Sequence, residues 1–367
     1  MERLTAFLLV VLTSGLSPYA RATDGTDVVV FEGKKNMTMS AVRIPALLRT
    51  KQDTLVAVAE GRNSGRDQSG NVIMGSVSHD EGKSWTKPEL IYAQGEDSCN
   101  NPCVVQDAKT GTIYLFFQTF PAGKSEFGGL PAGPTATGGN RTLYVASQDD
   151  GKTWSKPVDV TMALKPEDAV TTASGPGIGI QIKQGAHAGR LVIPFNSQDA
   201  KHNFTNWVAF SDDHGATWKR GAKVPQKDLQ LNEVQVAEIA NGELYLNSRR
   251  WKGTNFRKVS YSKDGGETWS PATDDDHLPE PTCQGSLLRW SPKVLLFLNP
   301  VGKGRANGTL RASTDDGKTW SAERLVFPGP FAYSCMAPLK DGRVGVLYEP
   351  NGASVLRFRA VDLPEVK

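Results

Sequence analysis

The chain has 367 residues, of which 38% are hydrophobic and 37 are glycine, and its formal net charge is only +3. The charge is small and dispersed, with no Lys/Arg run of the kind that marks a nucleic-acid binder. No apolar stretch is long enough to cross a bilayer as a helix.

In chain order, the first feature is Arg3 ahead of an apolar run from Leu4 to Leu12, followed by Ala20-Arg21-Ala22 in the small-x-small form of a cleavage site. Residues 1–22 read as a secretory signal peptide and 23–367 as the mature chain, bound for an extracellular, periplasmic or lysosomal destination. A secreted protein permits disulfides. Cys99 and Cys103 are close enough in sequence to consider a bridge, although such short spacings often violate bridge geometry. Cys283 and Cys335 can pair or stay free. No histidine or second cysteine stands at zinc spacing, so neither a metal nor any other cofactor is expected. Sequons stand at Asn36, Asn140, Asn203 and Asn307.

The body of the chain carries five copies of Ser-x-Asp-x-Gly-x-Ser/Thr-Trp, beginning at Ser78, Ser147, Ser211, Ser262 and Ser313. A recurring unit of this kind decides the fold before any other signal. Its chemistry is that of a turn: the aspartate accepts backbone N–H bonds, the glycine supplies conformations that side chains forbid, and the tryptophan is a large apolar plug wedged between neighbouring units.

Upstream of each box lies a short apolar strand: Asn71–Val77, Thr142–Ala146, Trp207–Phe210, Lys258–Tyr261 and Thr309–Ala312. Before these come Thr54–Ala59, Thr112–Gln118, Arg190–Phe195, Glu243–Asn247 and Lys293–Leu298, with a sixth at Arg343–Tyr348. Before those again are Ile44–Leu48, Pro102–Gln106, Ile178–Ile182, Val234–Ile239, Ser286–Trp290 and Ser334–Leu339. The pattern predicts an all-β six-bladed β-propeller with four-stranded antiparallel blades. The sixth unit lacks a box, and Val28–Phe31 is the candidate for its missing outer strand. Extra loop length falls in the first half, notably at Gly123–Gly139, which reads as a flexible rim loop.

Strand parity then sorts the polar residues. First-strand starts and second-to-third connections share one end of the propeller, and the boxes occupy the other. The first group includes Arg43, Asn101, Glu233, Gln284 and Tyr333; the second includes Arg62, Asp67, Arg249, Arg250 and Arg305. Any one arginine reads as a solvated surface charge, but the convergence of several implies an anionic ligand, because their planar forks match a carboxylate.

With these residues the chain resembles the secreted and lysosomal exo-α-sialidase family. The resemblance rests on Arg43-Ile44-Pro45, the five boxes, Asn232-Glu233, Asn247-Ser248-Arg249, Arg305 and Tyr333-Ser334, and it covers essentially the whole mature chain. It implies that Arg43, Arg249 and Arg305 bind the sialic acid carboxylate and that Arg62 contacts the sugar. It also implies that Asp67 is the acid/base, Tyr333 the nucleophile and Glu233 its base. The substrates would be sialylated oligosaccharides, glycoproteins or glycolipids. A neutral phenol suits this role, since an anionic nucleophile would be repelled by the carboxylate on the anomeric carbon. A phenol needs an adjacent base to attack, and tyrosine nucleophiles are an exception to the two-carboxylate scheme of glycosidases. Glu238 rivals Glu233, Arg250 rivals Arg249, Arg311 rivals Arg305, and Arg66 could hold Asp67 in a loop ion pair. Two other readings stand beside hydrolysis: a trans-sialidase, for which no paired aromatic acceptor clamp is evident, and a non-catalytic propeller that binds a glycan or protein partner.

Overall fold

The computed structural model describes residues 27–33, 39–228, 230–252, 256–302, 304–350 and 354–365. The expected signal peptide and the Asn36 sequon lie outside them. No described helix is long and apolar enough to cross a membrane.

Six sheets surround a common axis. Blade 1 is built from Ala41–Arg49, Leu55–Arg62, Val72–Ser78 and Glu89–Tyr92, each strand antiparallel to the one before it. Blade 2 comprises Ser98–Gln106, Ile113–Phe120, Arg141–Ser147 and Val158–Asp159. Blade 4 runs through Leu231–Glu238, Leu244–Arg250, Phe256–Ser262 and Thr273–Pro279, and blade 5 through Ser286–Ser291, Val294–Gly302, Ala306–Ser313 and Ala322–Pro330. Blade 6 takes Ser334–Pro338, Val344–Tyr348 and Val355–Val361 from the C-terminal part, and its outermost strand is Val28–Glu32, as the sequence predicts.

Blade 3 departs from expectation. Its first strand is Ala169–Ser174, paired to Leu191–Asp199, followed outward by Phe204–Ser211 and Lys219–Arg220. The expected strand Ile178–Ile182 is split. Gly177–Ile178 runs parallel to Cys103–Val104 of blade 2, and Ile180–Gln181 pairs with Leu191–Val192. The intervening Gly175-Pro176 segment is tied to blade 4, where Gly175 O accepts from Val234 N at 2.9 Å and Pro176 O from Gln235 Nε2 at 2.6 Å.

Strand alternation has its usual cause: side chains of successive residues face opposite sides of a sheet, and both faces of every inner strand are covered by neighbouring blades. The buried apolar residues of the described chain accordingly fall into seven clusters: one between each pair of consecutive blades, and a small one of Ile44, Cys283 and Tyr333 at the site end. Leu47, Leu55 and Ala57 of blade 1 pack on Cys335, Leu347 and Phe358 of blade 6. Phe116 and Tyr114 of blade 2 pack on Phe195 and Trp207 of blade 3.

The boxes hold these interfaces together. In the first, Gly82 N donates to Ser78 Oγ at 2.9 Å, Ser84 N to Asp80 Oδ1 at 2.9 Å, and Ser84 Oγ to Asp80 Oδ2 at 2.6 Å. The same bonds recur in the other four. Gly82 has φ +81°, and a Cβ there would lie 2.0 Å from the Phe358 ring of blade 6. Trp85 meets that same ring edge-on at 5.4 Å, and Trp218 does the same to Phe116 at 4.7 Å. The box therefore needs glycine twice, for its backbone and for the ring of the neighbouring blade.

All four cysteines are free and buried. Cys99 and Cys103 lie on one strand, Ser98–Gln106. Four residues of extended chain separate their Cα atoms by roughly 12 Å, beyond the reach of a disulfide. Asn140 is buried, and its Oδ1 accepts from Thr172 N at 2.8 Å.

Candidate active site

The expected residues converge at the end of the axis opposite the boxes. A cavity of about 190 Å³ is lined by Arg43, Arg62, Asp67, Glu233, Arg249, Arg305 and Tyr333. Local irregularities in the inner strands aim several of them. In blade 1 the register slips between Arg43 and Ala46, so Ile44 and Pro45 bulge, and Ile44 adopts φ +60°. Blade 2 repeats the device at Asn101-Pro102, with Asn101 at φ +57°. Blade 4 slips between Leu231 and Val234, which frees Asn232 and Glu233 from the ladder opposite Arg249. Bulges of this kind re-aim side chains at the rims of sheets.

Each bulge end in blades 1 and 2 is held by a carboxylate of the preceding blade. Glu349 of blade 6 accepts from Ile44 N at 2.9 Å and from Arg43 NH2 at 2.9 Å. Glu60 of blade 1 accepts from Asn101 N at 2.7 Å and pairs with Arg62 at 2.6 Å. Both carboxylates are buried. Neither was singled out in the sequence, where each looks like one acidic residue in or beside a strand.

The centre of the site is a three-membered contact. Tyr333 Oη donates to Glu233 Oε1 at 2.5 Å, while Arg249 NH1 reaches Glu233 Oε2 at 2.6 Å and Tyr333 Oη at 3.1 Å. Burial and the adjacent Glu233 carboxylate push the Tyr333 phenol well above its ordinary value, against the pull of Arg249 and Arg43. The guanidinium carbons of Arg43 and Arg305 stand 5.0 and 5.7 Å from the Tyr333 ring centre. Arg305 NH2 donates to Thr282 O at 2.8 Å, and no carboxylate among the described residues pairs with it. The Nε–H of Arg249 is buried without a protein acceptor among the described residues. The three guanidiniums therefore retain hydrogen-bonding capacity for a ligand.

Asp67 lines the same cavity, with its side chain 66% exposed. Arg62 NH1 donates to its carboxylate at 2.9 Å, and Arg43 NH1 stands 3.9 Å away. Its backbone carbonyl accepts from the amides of Asn71 and Asn100 at 2.5 and 2.7 Å. The partner of Asp67 is thus Arg62 rather than Arg66.

The rivals fall elsewhere. Glu238 accepts from the backbone N–H groups of Lys183 and Gln184, both at 2.9 Å, and caps a turn. Arg250 pairs with Asp228 and Asp274 at 2.7 and 3.0 Å, on the other face of its strand from Arg249. Arg311 donates to Asn299 at 3.2 Å within blade 5.

Two features were missed. Glu126, on the rim loop, lines the cavity, and burial together with the charges of Glu233 and Asp67 raises its carboxyl to about 7. Phe127, half-exposed, stacks on Trp251 with ring centres 5.4 Å apart and 25° between planes, so an aromatic pair does stand at the rim.

Residues 50–346 match the profile of the BNR repeat-like domain. The chain is 35% identical over 329 residues to a sialidase of Micromonospora viridifaciens, covering 84% of this chain and 50% of that protein. It is therefore similar to about half of that relative. It is 31% identical to sialidase-2 of Cricetulus griseus, covering 87% of this chain and 91% of that one. Among solved structures, the Hadza microbial sialidase Hz136 superposes with a TM-score of 0.81 at 30% identity, covering 89% of this chain and 66% of that one.

Proposed function

The chain belongs to the sialidase family of BNR-repeat propellers, and on that premise we propose that it is an exo-α-sialidase that hydrolyses terminal α-linked sialic acid from oligosaccharides, glycoproteins or glycolipids with retention. The observation that carries this reading is the contact of Tyr333 Oη with Glu233 at 2.5 Å beneath the guanidiniums of Arg43, Arg249 and Arg305.

The chemistry runs as follows. The three arginines take the substrate carboxylate, and Arg62 contacts the sugar and orients Asp67. Asp67 protonates the glycosidic oxygen as its bond to the anomeric carbon breaks. Tyr333 Oη attacks that carbon while Glu233 accepts the phenol proton, which gives a sialyl–tyrosine intermediate. With the aglycone gone, Asp67 removes a proton from water. The water oxygen displaces the tyrosine, which recovers its proton from Glu233. Because the phenol stays protonated until Glu233 takes its proton, the nucleophile itself presents no anion to the substrate carboxylate before the attack, and the charge of Glu233 is offset by Arg249. A leader at residues 1–22 would direct the propeller, residues 23–367, into the secretory route.

The test is release of a fluorescent phenol from an aryl α-sialoside. Wild-type turnover is expected, falling by roughly 10³-fold or more in Tyr333→Phe, the scale on which removal of a catalytic nucleophile acts. Turnover that survives the substitution removes Tyr333 from the mechanism, and a folded wild type without turnover removes the enzyme reading.

A further inference from the structure

One buried ion pair takes no part in the chemistry above, yet it reaches two of the site's arginines. Arg257 is on the third strand of blade 4 and Glu280 is just past the fourth. Their side chains are 0% and 1% exposed, with Arg257 NH1 2.7 Å from Glu280 Oε2. Two charges so far from water hold together only in good geometry. The guanidinium uses its whole fork: Nε donates to Asn247 Oδ1 at 2.6 Å, NH2 to Asn247 O at 3.3 Å, and NH1 also to Cys283 O at 2.8 Å. Its face lies over the Phe297 ring of blade 5, 5.4 Å from the ring centre.

One path from this pair leads to Arg249. Asn247 precedes Arg249 by two residues on the same strand, so both side chains face the same way. Ser248 is paired with Lys258, which sets Arg257 beside Arg249 across the ladder. Like charges side by side repel. Glu280 offsets the charge of Arg257, and its Oε2 also accepts at 3.3 Å from Arg250 N, the peptide that follows Arg249. Burial pushes the Glu280 carboxyl up, against the pull of Arg257 and Arg249. A second path leads to Arg305, whose NH2 donates to Thr282 O at 2.8 Å. Thr282 stands at φ +56°, a strained conformation for a β-branched residue. It is held from both sides, because Glu280 before it and the Cys283 carbonyl after it bind the one Arg257 guanidinium.

We infer that Arg257 and Glu280 are positioning residues that hold Arg249 and Arg305 as one unit for the substrate carboxylate. The inference rests on the sialidase reading and deepens it. Neither residue lines the cavity, so both act through others: through the strand that carries Arg249 and through the Thr282 carbonyl. Arg43 stands outside the unit, since its anchor is Glu349 of blade 6. Two separate buried carboxylates therefore aim the three guanidiniums. The arginines grip the same carboxylate in the ground state and in the transition state. Misplacing them weakens both alike, so KM rises while kcat is kept.

The experiment measures kcat and KM on an aryl α-sialoside, and the inhibition constant of a 2,3-unsaturated sialic acid analogue, with the melting temperature as the check on folding. Arg257→Lys keeps the charge beside Glu280 but cannot span Asn247, Glu280 and Cys283 at once. Arg257→Met combined with Glu280→Leu removes both charges together, a replacement that buried pairs often tolerate. Arg190→Lys is the control: Arg190 is also buried and forked, but it pairs with Asp212 at 2.7 Å and donates to Gly265 O of the fourth box at 3.1 Å. Both Arg257 variants are expected to raise KM and the inhibition constant by about 10-fold, the worth of one charge-assisted hydrogen bond, with kcat within about threefold. Arg190→Lys, far from the site, should leave all three within about twofold. An unchanged KM in a folded Arg257 variant, a fall in kcat at constant KM, or the same rise in Arg190→Lys overturns the positioning role while the sialidase reading stands. Loss of the fold in both Arg257 variants does the same, because it assigns the pair to stability alone. Wild-type protein that does not cleave the sialoside overturns both.

Discussion

Ile44 gives its backbone N–H to Glu349, which lies 305 positions later in the chain, and does so from a left-handed backbone conformation at φ +60°. A β-branched residue is an outlier there, and the bond to Glu349 is what holds the bulge that directs Arg43 into the site. Glu349→Ala would leave a part-buried guanidinium and a buried amide without their shared acceptor. The expected cost is about 3–5 kcal/mol of stability, measured by chemical denaturation, with a rise in KM for sialosides. A change below about 1 kcal/mol would mean that the bulge holds itself.

Arg249 and Arg250 are neighbours with different tasks. Arg249→Ala is expected to lower kcat/KM by roughly 10- to 100-fold or more, the worth of lost charge-assisted hydrogen bonds. Arg250→Ala breaks pairs with Asp228 and Asp274 and should leave kcat/KM within about twofold. Steady-state kinetics on one aryl sialoside decides the matter, and a reversed order would refute the parity assignment.

Glu126 sets a pH dependence. Its carboxyl, raised to about 7, is neutral in acid and charged above that pH. On the proposed reading the pocket takes a carboxylate, and a new anion there opposes binding. KM should therefore climb as pH rises through about 7 in the wild type, and Glu126→Gln should flatten that climb. A profile of the same shape in both proteins would assign the dependence to another group.

The box glycines tolerate no side chain. Gly82→Ala combines φ +81° with a Cβ placed 2.0 Å from the Phe358 ring. A loss of about 2–4 kcal/mol is expected from backbone strain and overpacking together. Gly95→Ala is the control for strain alone, since its φ is +57° and nothing lies within 4 Å of the added carbon. Equal losses in the two variants would show that the Phe358 contact is immaterial.

The box aspartates give the fold an acid limit. The Thr217 hydroxyl and backbone N–H hold Asp213 down at about 2. At Asp80, Asp264 and Asp315 burial acts upward, yet the serine or threonine bonds still bring the carboxyl below its usual range. A depressed carboxylate stabilises the fold above the unfolded value of about 4, and the contribution disappears as pH falls through the folded value. Asp213→Asn should melt below wild type at pH 5, with the gap closing towards pH 2 in thermal scans. A gap constant with pH would mean that the aspartate acts by shape alone.

Much of this architecture was legible because the boxes are both periodic and chemically explicit, and strand parity then followed from counting. Arg43, Glu233, Arg249 and Tyr333 could be gathered at one end on that ground. The first strand of blade 3 differs from the pattern for a physical reason. Ala169–Ser174 is small and polar, with Thr171, Thr172 and Ala173 lining the site cavity, so its residues answer to the cavity rather than to a core. The apolar Ile178–Ile182 looked more like a strand. Glu60 and Glu349 were passed over because their work, capping the bulge of the next blade, is visible only once the ring has closed. Glu126 sits in a glycine-rich loop whose course no pattern specifies.

The closure by Val28–Glu32 also imposes an order in time. A chain leaving the ribosome presents Arg43, Asp67, Glu233 and Arg249 while Tyr333 and Glu349 are still unmade. Its earliest strand must wait for Val355–Val361 before it has a partner to pair with. A product cut short before the sixth blade lacks the phenol, the anchor of Arg43 and the mate of its own first strand. The ring is therefore complete only when strands from opposite ends of the described chain meet, and the pocket only when the start of the sixth blade has joined the other five.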